Sequence, residues 1–167
     1  MNRFLFPYIF LVSITYAQQK NIQVVATNGM TVRWYFENER IFFEMIALTD
    51  GWLAIGLNKD KTIENMYLLM GNVINNKPNV VEYYNNTTSP DNFNSIEDLG
   101  TTSQVKNITG TENCNKTCIR FSLPIEPKNK YQKGLLQGSQ YTMVLAYGTK
   151  DDFEDSSTKC SLISVKL

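Results

Sequence analysis

The chain has 167 residues, with 16 Lys plus Arg against 16 Asp plus Glu, so no net field favours nucleic acid or an anionic membrane surface. Histidine is absent, which removes the commonest general base and metal ligand. Ser-His-Asp and Cys-His nucleophile arrangements and histidine zinc sites go with it.

The first residues read as a signal peptide. Arg3 gives the positive start, Phe4–Thr15 the apolar stretch and Thr15-Tyr16-Ala17 a small-x-small cleavage site. An uncleaved anchor is the rival reading, but the apolar stretch is short for a bilayer. Cleavage after Ala17 leaves residues 18–167, the size of one ordinary domain. No later segment has the length and apolarity of a transmembrane helix, so a soluble, secreted protein is expected.

Ile22–Ala26 reads as a short strand and Thr27-Asn28-Gly29 as a turn. Met30–Phe36 alternates Val32, Trp34 and Phe36 with Thr31, Arg33 and Tyr35. Across the polar turn 37–40 it forms a hairpin with Ile41–Leu48. Gly51–Asn58 then reads Gly-Trp-Leu-Ala-Ile-Gly-Leu-Asn, apolar on both faces, as in a strand buried within a sandwich. Its glycines leave room for another backbone or a flat ligand.

Lys59–Asn65 is loop-like, Met66–Ile74 a strand, Asn75–Asn79 its turn and Val80–Tyr84 the returning strand. Asn85 to about Asp98 reads as a long surface loop. Ser103–Ile108 is a weak strand, Cys118–Leu123 a strand ended by Pro124, and Ile125–Tyr131 irregular. Tyr141–Gly148 is the second strongly apolar strand, Lys150–Lys159 an acidic loop, and Leu162–Leu167 closes the chain. With no capped helical period, these short strands predict an all-β, antiparallel, immunoglobulin-like sandwich of about nine to eleven strands in one domain.

In an oxidising compartment Cys114 and Cys118 are expected to close a small loop, leaving Cys160 free or joined to a partner chain. Cys114–Cys160 and Cys118–Cys160 are the rival pairings. Sequons at Asn85, Asn86, Asn107 and Asn115 predict a glycoprotein.

The order of motifs resembles the DOMON domain family. Gly51-Trp52-Leu53-Ala54-Ile55-Gly56-Leu57 is similar to the family's Gly-Trp-x-Ala-Ile-Gly-Phe strand. Met66–Val73, Val81-Glu82-Tyr83-Tyr84, Arg120–Pro124 and Leu145-Ala146-Tyr147-Gly148 follow in family order and spacing. The resemblance spans roughly Gly29 to Leu167 and implies an extracellular sandwich with a pocket at one end, binding haem or sugars. Haem-binding members hold iron between a methionine and a histidine. That methionine aligns near Ile63, the histidine falls in Lys150–Lys159, which has none, and the family's acidic residue is replaced near Tyr67.

Three functional readings follow. The first is a non-catalytic module recognising a carbohydrate or other small ligand, with no cofactor. Its candidate ligand-binding residues are Trp52, Met66, Met70, Tyr83, Tyr84 and Tyr147, and Asn58, Asp60 and Asp151 are candidate polar groups at strand ends. A haem-binding electron-transfer domain is the alternative, disfavoured because Met66 and Met70 are thioethers and only Lys150 or Lys159 stands near the missing histidine. The third is a structural or adhesive extracellular protein joined to a partner through Cys160. Asp151-Asp152 and Glu154-Asp155 pair carboxylates, but without a nucleophile–base pair they read as solvated acids or a loose calcium site rather than a catalytic centre.

Overall fold

The computed structural model describes residues 20–89, 92–155 and 159–167. The signal peptide expected at 1–17 lies outside them. Among the described residues there is no helix, and eleven strands form two antiparallel sheets.

The five-stranded sheet runs β1 (Gln23–Thr27), β2 (Met30–Glu37), β3 (Arg40–Ala47), β9 (Thr117–Pro124) and β8 (Lys106–Glu112). The six-stranded sheet runs β11 (Lys159–Lys166), β10 (Gln140–Tyr147), β4 (Leu53–Asn58), β5 (Met66–Ile74), β6 (Lys77–Asn85) and β7 (Phe93–Ser95). The core between them is built from period-2 apolar positions. Val32 and Trp34 of β2, Ile41, Phe43 and Met45 of β3, and Ile119 and Phe121 of β9 face Leu53, Ile55 and Leu57 of β4 and Tyr67 and Leu69 of β5. The Phe43 and Phe121 rings lie 5.7 Å apart. Each such fully buried side chain contributes about 1.5–3 kcal/mol.

Several strand ends differ from the sequence reading. The turn expected over Asn75–Asn79 is only Asn75-Asn76, both left-handed (φ 52° and 62°), the conformation of a two-residue hairpin turn. β6 therefore starts at Lys77 and carries Pro78 opposite Val73. Proline is tolerated there because β7 pairs only with Tyr83–Asn85, leaving the Pro78 side of β6 without a ladder partner. The expected loop 85–98 contains β7 for the same reason: Phe93 pairs with Asn85 and Ser95 with Tyr83. The strand expected at Ser103–Ile108 lies at Lys106–Glu112, because residues 103–105 are taken out of the ladder by the Glu82 carboxylate, which accepts from Ser103 Oγ and from the N–H groups of Gln104 and Val105. β11 begins at Lys159, inside the expected acidic loop.

The bridge expected between Cys114 and Cys118 is not formed, and all three cysteines are free thiols. Asn113 and Lys116 close a turn with two backbone hydrogen bonds of 3.1 and 3.0 Å, leaving Cys114 exposed near its tip with φ 49°. Cys118 has already entered β9, opposite Ile46 and Thr111, with Sγ 3.9 Å from Glu44.

Candidate functional site

The outer face of an antiparallel sheet is commonly polar and solvated. Here the outer face of the six-stranded sheet is apolar. Along β4, Leu53, Ile55 and Leu57 point into the core, which turns Ala54 and Gly56 outward. Cross-strand pairing sets Ala54 beside Met70 and Ala146, and Gly56 beside Leu68 and Val144. With Trp52 and Met66 these side chains form a second buried cluster, separate from the core. Gly56 is needed there. A Cβ at this position would stand 2.6 Å from Met66 Sδ and 3.2 Å from Val144 Cβ, so the Met66 side chain lies across the bare glycine.

Two loops cover the cluster. Ile63 reaches it from the segment after β4, and Phe153 from the segment after β10; Tyr83 and Phe93 close the β6–β7 side. Both loops are pinned by buried amides. Asn58 Nδ2 donates to the carbonyls of Thr62 (2.9 Å) and Glu64 (2.8 Å), and Asn72 Nδ2 donates to that of Asp151 (2.8 Å). Trp52 N donates to Lys150 O, and Gly148 N to Trp52 O, both at 3.0 Å. Asn58 and Asn72 are thus loop anchors rather than free polar groups at a rim.

The structure divides the sequence candidates. Trp52, Met66, Met70 and Tyr83 meet on the outer face. Tyr83 and Tyr84 do not make one platform, because consecutive strand residues point to opposite sides. The Tyr83 ring meets Phe153 edge-on at 6.5 Å and 87°. Burial, then the nearby Asp98 and Glu154 carboxylates, raises its hydroxyl pKa. Tyr84 instead packs on Tyr131 at 5.3 Å and donates to Asn65 Oδ1 at 2.6 Å. Tyr147 belongs to the core, its hydroxyl donating to the Asn28 carbonyl at 3.1 Å.

Asp60 is exposed. Asp151 has its carboxyl pKa raised by burial and by Asp50, against a backbone bond from Val73 that lowers it. Asp152 caps its own turn by accepting from Glu154 N at 2.9 Å, and Asp155 lies 4.0 Å from Lys150 Nζ. Among the described residues no three acidic, cysteine or histidine side chains converge as a metal site.

Of the sequon asparagines, Asn86, Asn107 and Asn115 are exposed. Asn85 is fully buried; its Nδ2 donates to Ser89 O at 2.7 Å and its Oδ1 accepts from Thr87 N at 2.8 Å. Phe153 was the site residue missed in sequence, its signal being one aromatic inside Asp151-Asp152-Phe153-Glu154-Asp155.

Fold and site together define a two-sheet sandwich with a capped apolar outer face. The DOMON domain family profile matches residues 26–148, and the chain belongs to that family. Its fold is similar to that of the cytochrome b domain of pyranose dehydrogenase from Coprinopsis cinerea, at TM-score 0.57 and 13% identity over 82% of this chain and 76% of that one. It is also similar to the cytochrome domain of Myriococcum thermophilum cellobiose dehydrogenase, at TM-score 0.58 and 9% identity over 89% and 82%.

A haem with protein axial ligands does not fit this face. Its only soft donors with strong burial are thioethers, and Met66 Sδ is packed onto Gly56. The two covering loops present Ile63 and Phe153, neither of which can ligate iron.

Proposed function

We propose that the protein is a non-catalytic binding module that holds a small molecule with an apolar face, a sugar ring being the favoured class. The site is the Tyr83–Phe153 rim of the six-stranded sheet's outer face. One observation carries this reading: an outward sheet face that would ordinarily be solvated is apolar and roofed by Ile63 and Phe153, two side chains on loops. An aromatic edge with carboxylates beside it suits sugars, whose C–H faces pack on rings while their hydroxyls require acceptors. The acceptors this reading assigns are Asp98 and Glu154, near enough to Tyr83 that, after burial, they raise its hydroxyl pKa. Histidine is absent from the chain, so the reading assigns the site no Met–His axial pair for haem.

The test is intrinsic-fluorescence titration with neutral mono- and oligosaccharides, comparing wild type with Tyr83→Ala and Phe153→Ala. Each variant is expected to weaken saccharide binding about tenfold, the equivalent of roughly 1.4 kcal/mol. Wild-type affinity in both variants, or no saccharide binding by the wild type, overturns it.

A further inference from the structure

A concavity lies on the opposite sheet, away from the site above. Tyr35 of β2 and Phe42 of β3 are cross-strand neighbours whose rings stack in parallel, 4.9 Å apart and 1° from coplanar in tilt. They line a groove of about 370 Å³ together with Arg33, Arg120, Asn107 and Thr109. That volume lies within the range of small-ligand sites, about 300–1,000 Å³. Lys20 Nζ stands 4.3 Å from the Tyr35 ring centroid and 5.9 Å from that of Phe42, so Phe42 is the less covered of the two rings, and β9 runs beside it.

The groove's polar rim is rich in donors. Glu44 accepts from Arg33 Nη1 at 2.9 Å and from Arg120 Nε at 2.6 Å, so two guanidiniums share one carboxylate. The far wall is the sequon Asn107-Ile108-Thr109. Asn107 is exposed and left-handed (φ 56°), inside the irregularity where the β8–β9 register shifts between Lys106 and Thr109. Asparagine tolerates this conformation better than most residues. Its Nδ2 donates to Ser122 Oγ at 2.9 Å, and Ser122 is the β9 partner of Phe42. The acceptor nitrogen for a glycan therefore leans over the strand next to Phe42.

We infer that an N-linked glycan on Asn107 occupies this groove, its first sugar packing a C–H face on Phe42 while its acetamide and hydroxyl oxygens accept from Arg120. The attachment forms a bond between sugar C1 and Asn107 Nδ2. The lipid pyrophosphate of the donor oligosaccharide leaves C1, and the amide gives up one of its two protons. The remaining N–H still reaches Ser122 Oγ. The inference rests on passage of the chain through a secretory pathway.

The test expresses the full chain in secreting eukaryotic cells, maps sequon occupancy by mass spectrometry, and measures Tm before and after enzymatic glycan removal. Thr109→Ala abolishes this sequon while keeping the Asn107 amide, and Phe42→Leu keeps an apolar side chain but removes the flat ring. Asn107 is expected to be occupied. Loss of its glycan should lower Tm by about 2–4 °C in the wild type, as should Thr109→Ala, and leave Phe42→Leu unchanged. Equal losses in the wild type and Phe42→Leu overturn the inference, as does a bare Asn107 beside an occupied Asn86 or Asn115. If every sequon is bare, the inference falls as well, and recovery of the chain from the medium tells whether secretion fails with it.

Discussion

Glu82 is the residue on which the packing of two long loops depends. It is only 1% exposed, and its carboxylate accepts from Tyr67 Oη at 2.6 Å, Gln132 Nε2 at 2.8 Å and Ser103 Oγ at 2.8 Å. It also accepts from the backbone N–H groups of Gln104 at 2.6 Å and Val105 at 3.0 Å. Those bonds join β5 and β6 to the segments 103–105 and 128–135. Removing the carboxylate strands Tyr67 and Gln132, which are buried where water does not reach, at about 1–3 kcal/mol for each donor. The half-buried backbone N–H groups are recovered by water at smaller cost. Glu82→Ala is therefore expected to lose about 4 kcal/mol, a large fraction of a typical total of about 5–15 kcal/mol. In urea, with a slope of about 2 kcal/mol/M, the midpoint falls by about 2 M. Glu82→Gln keeps the shape and an acceptor oxygen and should lose about half as much, roughly 2 kcal/mol. A loss below about 1 kcal/mol in Glu82→Ala, at unchanged slope, would refute the reasoning.

Other perturbations report on the sheet faces. Gly56→Ala drives a Cβ into Met66 Sδ and Val144, so chemical denaturation should show a loss of about 1–3 kcal/mol, and Gly56→Ala combined with Met66→Ala should recover part of it. Burial alone would raise the Glu44 carboxyl pKa, but hydrogen bonds from Arg120 and Arg33 outweigh it and hold the pKa below its ordinary value. The stabilisation is therefore complete above the unfolded carboxylate pKa of about 4.3 and is lost as pH falls through the folded one; the urea midpoint should drop below about pH 4.5, and Glu44→Gln should flatten that part of the profile. A thiol reagent under native, non-reducing conditions should modify exposed Cys114 first. Cys160, also an exposed residue, follows more slowly because partial burial of its thiol raises its pKa, and the half-buried Cys118, also raised by burial, reacts last. Unfolding should expose all three without a reductant, and a reductant requirement would contradict the free thiols.

Much of the architecture was legible because strand alternation carries its own address. Val32, Trp34 and Phe36 mark the buried side of β2, and Met66–Ile74 appears with the bounds read from sequence. The apolar character of both faces of β4 was legible too, since Ala54 and Gly56 alternate with Leu53, Ile55 and Leu57. The candidate site was legible only in part. Met66, Met70 and Tyr83 share one parity across paired strands, so their meeting follows from register, but register is a tertiary fact. Tyr84 and Tyr147 look like equally good aromatics in sequence and face elsewhere, which period-2 geometry explains afterwards. Glu82 was read as an ordinary strand residue of the family pattern. Nothing local tells that Gln104, Val105 and Gln132, all distant in sequence, deliver their N–H groups to it. Phe153 is hidden by its acidic neighbours for the same reason: it lies in a loop, and its partner, Tyr83, in a strand far away in sequence.

The central claim is that the capped outer face binds its ligand by packing, without axial ligation of iron. Titration of the purified protein with haemin, recorded oxidised and dithionite-reduced, tests it most directly. The account predicts no saturable Soret shift and no sharp reduced bands of a six-coordinate centre, since beneath Ile63 and Phe153 the described residues of this face offer the thioethers of Met66 and Met70 and, at the rim, the Tyr83 hydroxyl, with no imidazole or thiolate. A saturable six-coordinate spectrum that disappears in Met66→Leu or Met70→Leu would contradict it.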